Sequence, residues 1–183
     1  LPIWLLKSGR ISWAYASDVR EKPLESARRN AEKYQVADKL KTVLGNGLEN
    51  IAGDKVTDIV IAGMGGLLIT DILKAADFVR DNRIQLILQP MKDDPRLRSW
   101  LIENGFAIEE EKPVCEAGRV YTVMRVAFAG QAEPPADGLF PYMGCLPEAP
   151  ESKEYARKVV RILSQEADGA EKTGDAGRAK AIT

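Results

Sequence analysis

The sequence predicts an α/β protein with a mainly parallel sheet, closed by an antiparallel hairpin and followed by a small helical C-terminal appendage. The central observation is the run DIVIAGMGG at 58–66. Its apolar, mostly β-branched part is typical of a strand buried on both faces of a parallel sheet. Three glycines follow within four residues, and apolar residues then return at helical spacing. This order places backbone N–H groups at the carboxyl end of a parallel sheet, where open α/β folds bind ligands. A tight turn without a ligand explains the same residues.

Composition excludes several classes of chemistry. The 183 residues carry 26 Lys and Arg against 27 Asp and Glu, a net charge of −1, so any nucleic-acid surface has to be local. The absence of histidine excludes Ser-His-Asp and Cys-His catalysis, histidine-ligated zinc and a histidine base. Cys115 and Cys145 stand far apart without CxxC spacing, which predicts a reducing, cytoplasmic location. We expect neither a signal peptide nor a membrane span, and no metal is called for.

The first third of the chain predicts two strands that end in polar turns. Residues 11–19 read as a strand with Asp18 at its carboxyl end, where an acid in a nucleotide-binding α/β unit accepts hydrogen bonds from ribose hydroxyls. A helix over 23–34 and a short strand over 40–44 lead to the turn GNGLE at 45–49. Asn46 offers the donor and acceptor that suit an adenine edge. Helix capping by Asp18 and a left-handed turn at Asn46 remain open as structural explanations.

The rest of the chain predicts the closing hairpin and the appendage. A strand at 84–88 and a helix at 93–104 precede strands at 106–114 and 120–127. We therefore expect a domain over 1–130, a proline-rich linker over 131–150 and a helical extension over 151–183. Cationic side chains follow one arc of the helix predicted from Glu151: Lys153, Arg157, Lys158 and Arg161. They could contact RNA phosphates, together with Arg119 and Lys112 on the hairpin, or simply form a solvated face.

Several of these segments together resemble the bacterial tRNA (adenine-22-N1)-methyltransferase family, of the TrmK type, which uses S-adenosylmethionine. The resemblance covers about residues 1–130 and is carried by these segments: ASDVREKPLESARRN at 16–30, GNGLE at 45–49, DIVIAGMGG at 58–66, LILQPM at 86–91 and RSWLIENGF at 98–106. It implies a Rossmann-like methyltransferase domain whose helical C-terminal appendage acts on tRNA.

The resemblance also implies roles for individual residues. Asp18 would bind the cofactor ribose and Val19 would pack beside the adenine, while Asn46 and Gly47 would meet the adenine edge. The segment Ala62, Gly63 and Met64 would border the methionine moiety and the transferable methyl. Tyr121 or Tyr142 could stack on the target base, although ordinary packing explains both.

One departure from the family concerns the start of the sequence. Family members have a first strand and a DIGSDHAYLP-like glycine loop, of which only Leu1 and Pro2 are present here. That loop carries the polar residues one would nominate for substrate handling, so we assign no catalytic residue and expect this chain to be a part of a longer protein.

Two other functions remain open from the sequence. A nicotinamide-dependent oxidoreductase would use the same strand and acid, but its sheet would be all parallel, against the hairpin predicted at 106–127. A non-catalytic RNA-binding or scaffold module would have glycine turns of purely structural use. Cofactor binding separates a scaffold from an enzyme.

Overall fold

A computed structural model of the protein describes residues 1–133 and 138–172, and in that part strands and helices alternate as predicted. The α-helices are Pro2–Lys7 (α1), Glu21–Lys33 (α2), Gly66–Lys74 (α3), Asp94–Glu103 (α4), Phe140–Met143 (α5) and Pro150–Lys172 (α6). The strands are Ala14–Asp18 (β1), Leu40–Leu44 (β2), Asp58–Met64 (β3), Gln85–Pro90 (β4), Phe106–Glu116 (β5) and Arg119–Phe128 (β6). Three short 3₁₀ turns lie at Ala37–Lys39, Gly53–Lys55 and Asp77–Arg80.

The chain divides into two compact units. The first unit contains residues 1–56 and 71–79, and the second contains residues 57–70 and the chain from Arg80 onward. The described strands form one hydrogen-bonded sheet in each unit: β1-β2, and β3-β4-β6-β5. Apolar periodicity predicts which segments are strands but does not tell which edges pair, and this is why the division into two sheets was not foreseen.

In the first unit, β1 and β2 pair in parallel, with Ala14 opposite Leu40 and Asp18 opposite Leu44. Helices α1 and α2 cover one face of this pair. Their contact is a small apolar cluster centred on Leu6, Ala31 and Val36, each at most 4% exposed. The periodicity of α2 that predicted an inward apolar face is confirmed, since Leu24 and Ala31 are its buried residues.

In the second unit, β3 and β4 are parallel, whereas β6 runs antiparallel to both β4 and β5. The predicted closing hairpin is therefore confirmed. Helix α4 packs on this sheet, and the core between them is fully buried at Leu86, Leu88, Leu97, Leu101, Phe106, Met124 and Val126. This sheet also carries the Gly63 turn, and α6 packs against its hairpin.

A buried ion pair lies beneath the start of α6. Arg98 Nε on α4 donates to Glu111 Oε1 on β5 at 3.0 Å, and both side chains are fully buried. The other guanidinium nitrogens donate to the carbonyls of Pro141 and Tyr142 and to the Tyr155 hydroxyl at 2.8–3.0 Å. A buried charge is tolerated when its remaining donors find partners, and here they do.

The same network extends to the first turn of α4. The Tyr155 hydroxyl donates to Asp94 Oδ2 at 2.8 Å, and Lys158 Nζ lies 3.4 Å from that oxygen. Burial raises the pKa of the Tyr155 hydroxyl well above its usual range, so the hydroxyl stays protonated and keeps donating. Helix α6 is thus attached to the second unit through buried polar contacts as well as through Val159.

Part of the segment predicted as a proline-rich linker is folded onto this network. Phe140 on α5 is 3% exposed, and the backbone N–H of Cys145 donates to Glu111 Oε2 at 2.6 Å. Gly144 has to be glycine, because a Cβ there would lie 1.6 Å from that oxygen. The linker boundaries at 131 and 150 stay a prediction. The predicted extension is helical as far as Lys172, and its remainder at 173–183 lies outside the described residues.

Two further properties concern the described residues alone. Over 1–133 and 138–172, no helix combines the length and apolar character that crossing a bilayer requires. The same residues contain no group of three or more Cys, Asp or Glu side chains that could hold a metal ion.

We predict that Tyr155→Phe lowers the free energy of unfolding by about 1–3 kcal/mol, because the variant keeps the ring but removes one hydrogen-bond partner each from buried Asp94 and Arg98. Chemical denaturation measures the loss. Tyr121→Phe is the matched control, since no hydrogen bond of the Tyr121 hydroxyl is recorded within the described residues. Equal losses of unfolding free energy in the two variants would show that the hydrogen bonds of the Tyr155 hydroxyl do not stabilise the fold.

Candidate functional site

Asp18 and the Gly45–Gly47 turn lie side by side at the carboxyl ends of β1 and β2. The Gly45 N–H donates to the Asp18 carbonyl at 3.1 Å, continuing the parallel register of the two strands by one residue. The parallel pairing of β1 and β2 therefore brings these two polar turns to one edge of the sheet. This edge belongs to the first unit.

The Asp18 carboxylate is held in place while one of its oxygens stays available. Oδ1 accepts the Arg20 N–H at 2.8 Å, a contact that fixes the turn after β1, and the side chain is 31% exposed. No hydrogen bond to Oδ2 is recorded within the described residues. A fixed carboxylate with a free oxygen at a strand end fits the hydroxyls of a ribose.

The neighbouring residues leave open space beside that carboxylate. Val19 is 61% exposed, so an apolar surface is available next to Asp18. Asn46 is also exposed, and its amide makes only a long contact of 3.5 Å with Glu49. Gly47 has a φ of +63°, and a Cβ there would press against Ile72 at 2.7 Å, so this glycine is required by packing. Together these residues suit a planar base beside a ribose.

The glycine turn after β3, in the second unit, contains a bulge. Ala62 pairs with Gln89 and Met64 pairs with Pro90, so Gly63 is an extra residue in the ladder. Its φ is +76°, and a Cβ built on it would meet nothing within 4 Å. A bulge of this kind turns the backbone out of the sheet and is common next to active sites. Gly63 therefore offers exposed main chain at the carboxyl end of a parallel strand.

Gln89, which the sequence analysis did not single out as a site residue, holds this bulge. Its Oε1 accepts the Gly63 N–H at 2.9 Å, while its Nε2 donates to the Pro90 carbonyl at 3.0 Å. The N–H that the bulge removes from the ladder is thereby satisfied. The sequence signal for this role was a polar glutamine at the end of an otherwise apolar strand, in the segment LILQPM. An apolar residue would be expected at that position if it only extended the buried strand.

Gly66 begins α3 in close contact with the turn before α4. Its N–H donates to the Lys92 carbonyl at 2.8 Å, and a Cβ would lie 2.6 Å from the Asp93 carbonyl oxygen. Gly65 differs, since its nearest neighbour would be the flexible Lys92 side chain at 3.3 Å. The three glycines of the turn therefore serve different purposes: an open approach at Gly63, a tolerant position at Gly65 and a tight packing contact at Gly66.

The cationic residues expected to meet RNA occupy two kinds of position in the second unit. Arg119, Lys153, Arg157 and Arg161 are exposed. Lys158 points the other way: its side chain is 19% exposed, and its ammonium lies 3.3 Å from the Val120 carbonyl as well as against Asp94. This contact places the start of β6, and with it Arg119, beside α6. Lys112 forms an ion pair with Glu110 at 2.9 Å.

We predict that Gly66→Ala lowers the free energy of unfolding by about 1–3 kcal/mol, because the added methyl group meets backbone that cannot rotate away. Gly65→Ala is the matched control and should cost much less, since only a lysine side chain has to move. Thermal denaturation of the two variants measures the difference. Equal destabilisation would contradict the close approach of α3 to the turn at 92–93.

Comparison with known proteins identifies the family. A family model described as a methyltransferase domain matches residues 1–124. The tRNA (adenine(22)-N(1))-methyltransferase of Bacillus subtilis is 34% identical over 139 residues, which are 76% of this chain and 58% of that protein. The chain thus spans less than two thirds of the length of this relative.

Solved structures give the same result over the whole chain. The crystal structure of the B. subtilis m1A22 tRNA methyltransferase TrmK has a TM-score of 0.83 and 26% identity, covering 99% of this chain and 82% of that one. A Streptococcus pneumoniae protein crystallised with S-adenosyl-L-methionine has a TM-score of 0.77 and 34% identity, covering 100% of this chain and 85% of that one. The Rossmann-like prediction is confirmed, and the chain belongs to the methyltransferase-domain family, among the relatives of the tRNA (adenine-22-N1)-methyltransferases.

Proposed function

We propose that this protein takes part in the S-adenosylmethionine-dependent methylation of adenine N1 at position 22 of bacterial tRNA. The observation that carries the proposal is the open bulge at Gly63, in the segment where the family resemblance places the transferable methyl group. The relatives named as tRNA (adenine-22-N1)-methyltransferases support the substrate and the position of the nucleotide. A cytoplasmic location stays a prediction from the cysteine usage.

The cofactor-binding residues proposed from the sequence have surroundings that suit their roles. Asp18 would accept hydrogen bonds from the ribose through its free oxygen, and Val19 would cover one face of the adenine. Asn46 and Gly47 would meet the adenine edge. In the second unit, Ala62, Gly63 and Met64 would border the methionine part, with Gln89 keeping the Gly63 turn in shape.

The reaction needs no strong acid or base group. When bound, S-adenosylmethionine supplies a methyl group on a sulfonium; the S–CH₃ bond breaks as the N1–CH₃ bond forms, and the sulfur keeps the electron pair. Adenine N1 already carries a lone pair, so no strong base is needed, and alignment supplies much of the rate. Main-chain carbonyls around the Gly63–Gly66 turn would stabilise the positive charge that develops on the base.

Recognition of tRNA would use the exposed cations of the second unit. An adenine within folded RNA must be unstacked first, at a cost of a few kcal/mol, which phosphate contacts can offset. Arg119, Lys153, Arg157 and Arg161 are exposed and are proposed for those contacts. Lys158 would act indirectly, because its contacts with Asp94 and Val120 hold α6 against α4 and the hairpin.

Of the two alternative functions, one loses its support and the other stays open. The antiparallel hairpin and the methyltransferase match leave the nicotinamide-dependent oxidoreductase without support. The scaffold alternative is tested by cofactor binding.

Calorimetry with S-adenosylmethionine tests the proposal first, on this chain and on a version that carries the strand and glycine loop expected upstream. We expect binding by the longer version and methyl transfer to a tRNA transcript with adenine at position 22, but not to one with guanine there. In that version Asp18→Asn should weaken binding about tenfold, because a charge-assisted hydrogen bond to the ribose is lost. Asp38→Asn, in the same unit but on a turn before β2, should leave it unchanged.

Absence of binding by both versions would disprove the cofactor assignment of Asp18, Asn46 and Gly63 and would favour the scaffold alternative. Binding without transfer to adenine 22 would retain the methyltransferase and reject the substrate.

A second experiment tests the α6 cations. We predict that Arg157→Gln combined with Arg161→Gln weakens tRNA binding and lowers the salt dependence of log K by about 1.4–1.8, the slope expected for two lost phosphate contacts. Fluorescence anisotropy at several salt concentrations measures both. Arg83→Gln is the control, because this exposed arginine is paired with an acid, as Arg157 is, but lies before β4 and not on α6. An unchanged slope in the double variant would show that the outer face of α6 is only a solvated face.

A further inference from the structure

A group of aromatic and cationic side chains lies exposed on α1 and at the end of α2 in the first unit. Trp4 and Tyr34 are 56% and 41% exposed, and Lys7, Arg10 and Lys33 are exposed as well. We call these five residues the Trp4–Tyr34 surface. None of them belongs to the cofactor or RNA sites discussed above.

The cations of this surface lie over the aromatic rings. The Arg10 guanidinium carbon is 5.0 Å from the centre of the Trp4 ring, and Lys7 Nζ is 5.0 Å from the centre of the Tyr34 ring. Lys33 Nζ approaches the same tyrosine at 5.6 Å. Trp4 and Lys7 stand three residues apart and therefore share one face of α1. The rings and charges thus form one surface.

Within the described part of the chain, these cations have no acidic partner. Across the described residues, no ion pair includes Lys7, Arg10 or Lys33. Residues 1–41 carry nine Lys and Arg against five Asp and Glu, a net charge of +4, whereas the whole chain has −1. The basic charge of the protein is therefore concentrated in this part of the sequence, and the surface attracts an anion.

The two helices that carry this surface pack on an apolar cluster. On α1, Leu6 is 4% exposed, and on α2, Ala31 is 1% exposed; both belong to the apolar cluster shared with Val36. The rings are thus presented by two packed helices, and binding would cost little ordering entropy.

The surface is also separate from the Asp18 edge. The apolar cluster that α1 and α2 share packs against Ala14 and Leu40, the first residues of β1 and β2. The Trp4–Tyr34 surface is therefore at the amino ends of two five-residue strands, and Asp18 is at their carboxyl ends, about 15 Å along the strand direction. A molecule on this surface would not occupy the proposed ribose position.

We propose that the Trp4–Tyr34 surface is a second RNA-binding surface, which stacks an unpaired base of the RNA on Trp4 and Arg10 and pairs the flanking phosphates with Lys7 and Lys33. Aromatic rings and guanidinium planes stack on any base, and unpaired cations neutralise phosphates, which is the combination that single-stranded RNA needs. An acidic peptide would use the charges but would gain little from the rings. The proposal rests on the proposed function in so far as the RNA is tRNA.

The test measures RNA binding by this chain without cofactor, using fluorescence anisotropy with a labelled tRNA transcript and a short unstructured RNA. Trp4→Ala should weaken binding at least about fivefold, since stacking is lost, and Trp4→Phe should restore most of it. Lys7→Gln combined with Arg10→Gln should lower the salt slope by about 1.4–1.8. Lys55→Gln, an exposed lysine of the same unit, is the matched control and should bind like the parent chain.

Tryptophan fluorescence adds evidence of direct contact, because a base stacked on Trp4 quenches its emission. RNA should quench the parent chain more than Trp4→Phe, even where the two bind with similar affinity. Circular dichroism verifies that the variants keep their fold, which is expected for exposed positions.

Three outcomes would overturn the proposal. The first is unchanged RNA affinity in both Trp4→Ala and the double variant. The second is concentration-dependent self-association without RNA that Trp4→Ala abolishes, since the surface would then bind a second copy. The third is displacement of the RNA by an acidic peptide at comparable affinity. Methyl transfer is measured separately on the longer version, so RNA binding here without transfer by that version would disprove the proposed function alone.

Discussion

The buried pair of Arg98 and Glu111 is the interaction on which the C-terminal half of the second unit depends. Removing two charges from water is costly, and their attraction compensates only when every remaining donor and acceptor finds a partner. Here the partners come from β6, from the 141–145 segment and from α6: Thr122, the carbonyls of Pro141 and Tyr142, the N–H of Cys145 and the Tyr155 hydroxyl. Losing one member would leave a buried charge, so these elements are held together as a set.

This arrangement gives α6 a fixed inner face. Tyr155 and Val159 are buried, and Lys158 reaches Asp94 and the hairpin. Arg157 and Arg161 are exposed on the same helix, and Arg157 pairs there with Glu154. For the RNA contacts proposed above, such a support would orient the helix before binding.

Glycine is required for a different physical reason at each of three positions. At Gly63 the demand is backbone conformation and open space, at Gly66 it is close contact with the Asp93 carbonyl, and at Gly144 it is room for the Glu111 carboxylate. The sequence marked 63–66 as a ligand-binding turn but could not assign these demands, since they depend on chain segments more than twenty residues away. Gln89 was missed for the same reason: its partner is the Gly63 N–H, which only the bulge exposes.

Local patterns in the sequence determined the alternation of strands and helices, the hairpin, the apolar faces and the family. These features follow from side-chain periodicity and from motifs of neighbouring residues, and the structure and the comparisons confirm them. Tertiary structure alone decided which strands pair, that part of the expected linker packs against Arg98, and that Lys158 faces inward while Arg157 faces water. The physical reason is that pairing and burial depend on groups far apart in the chain, and the sequence does not show which buried acid will meet which cation.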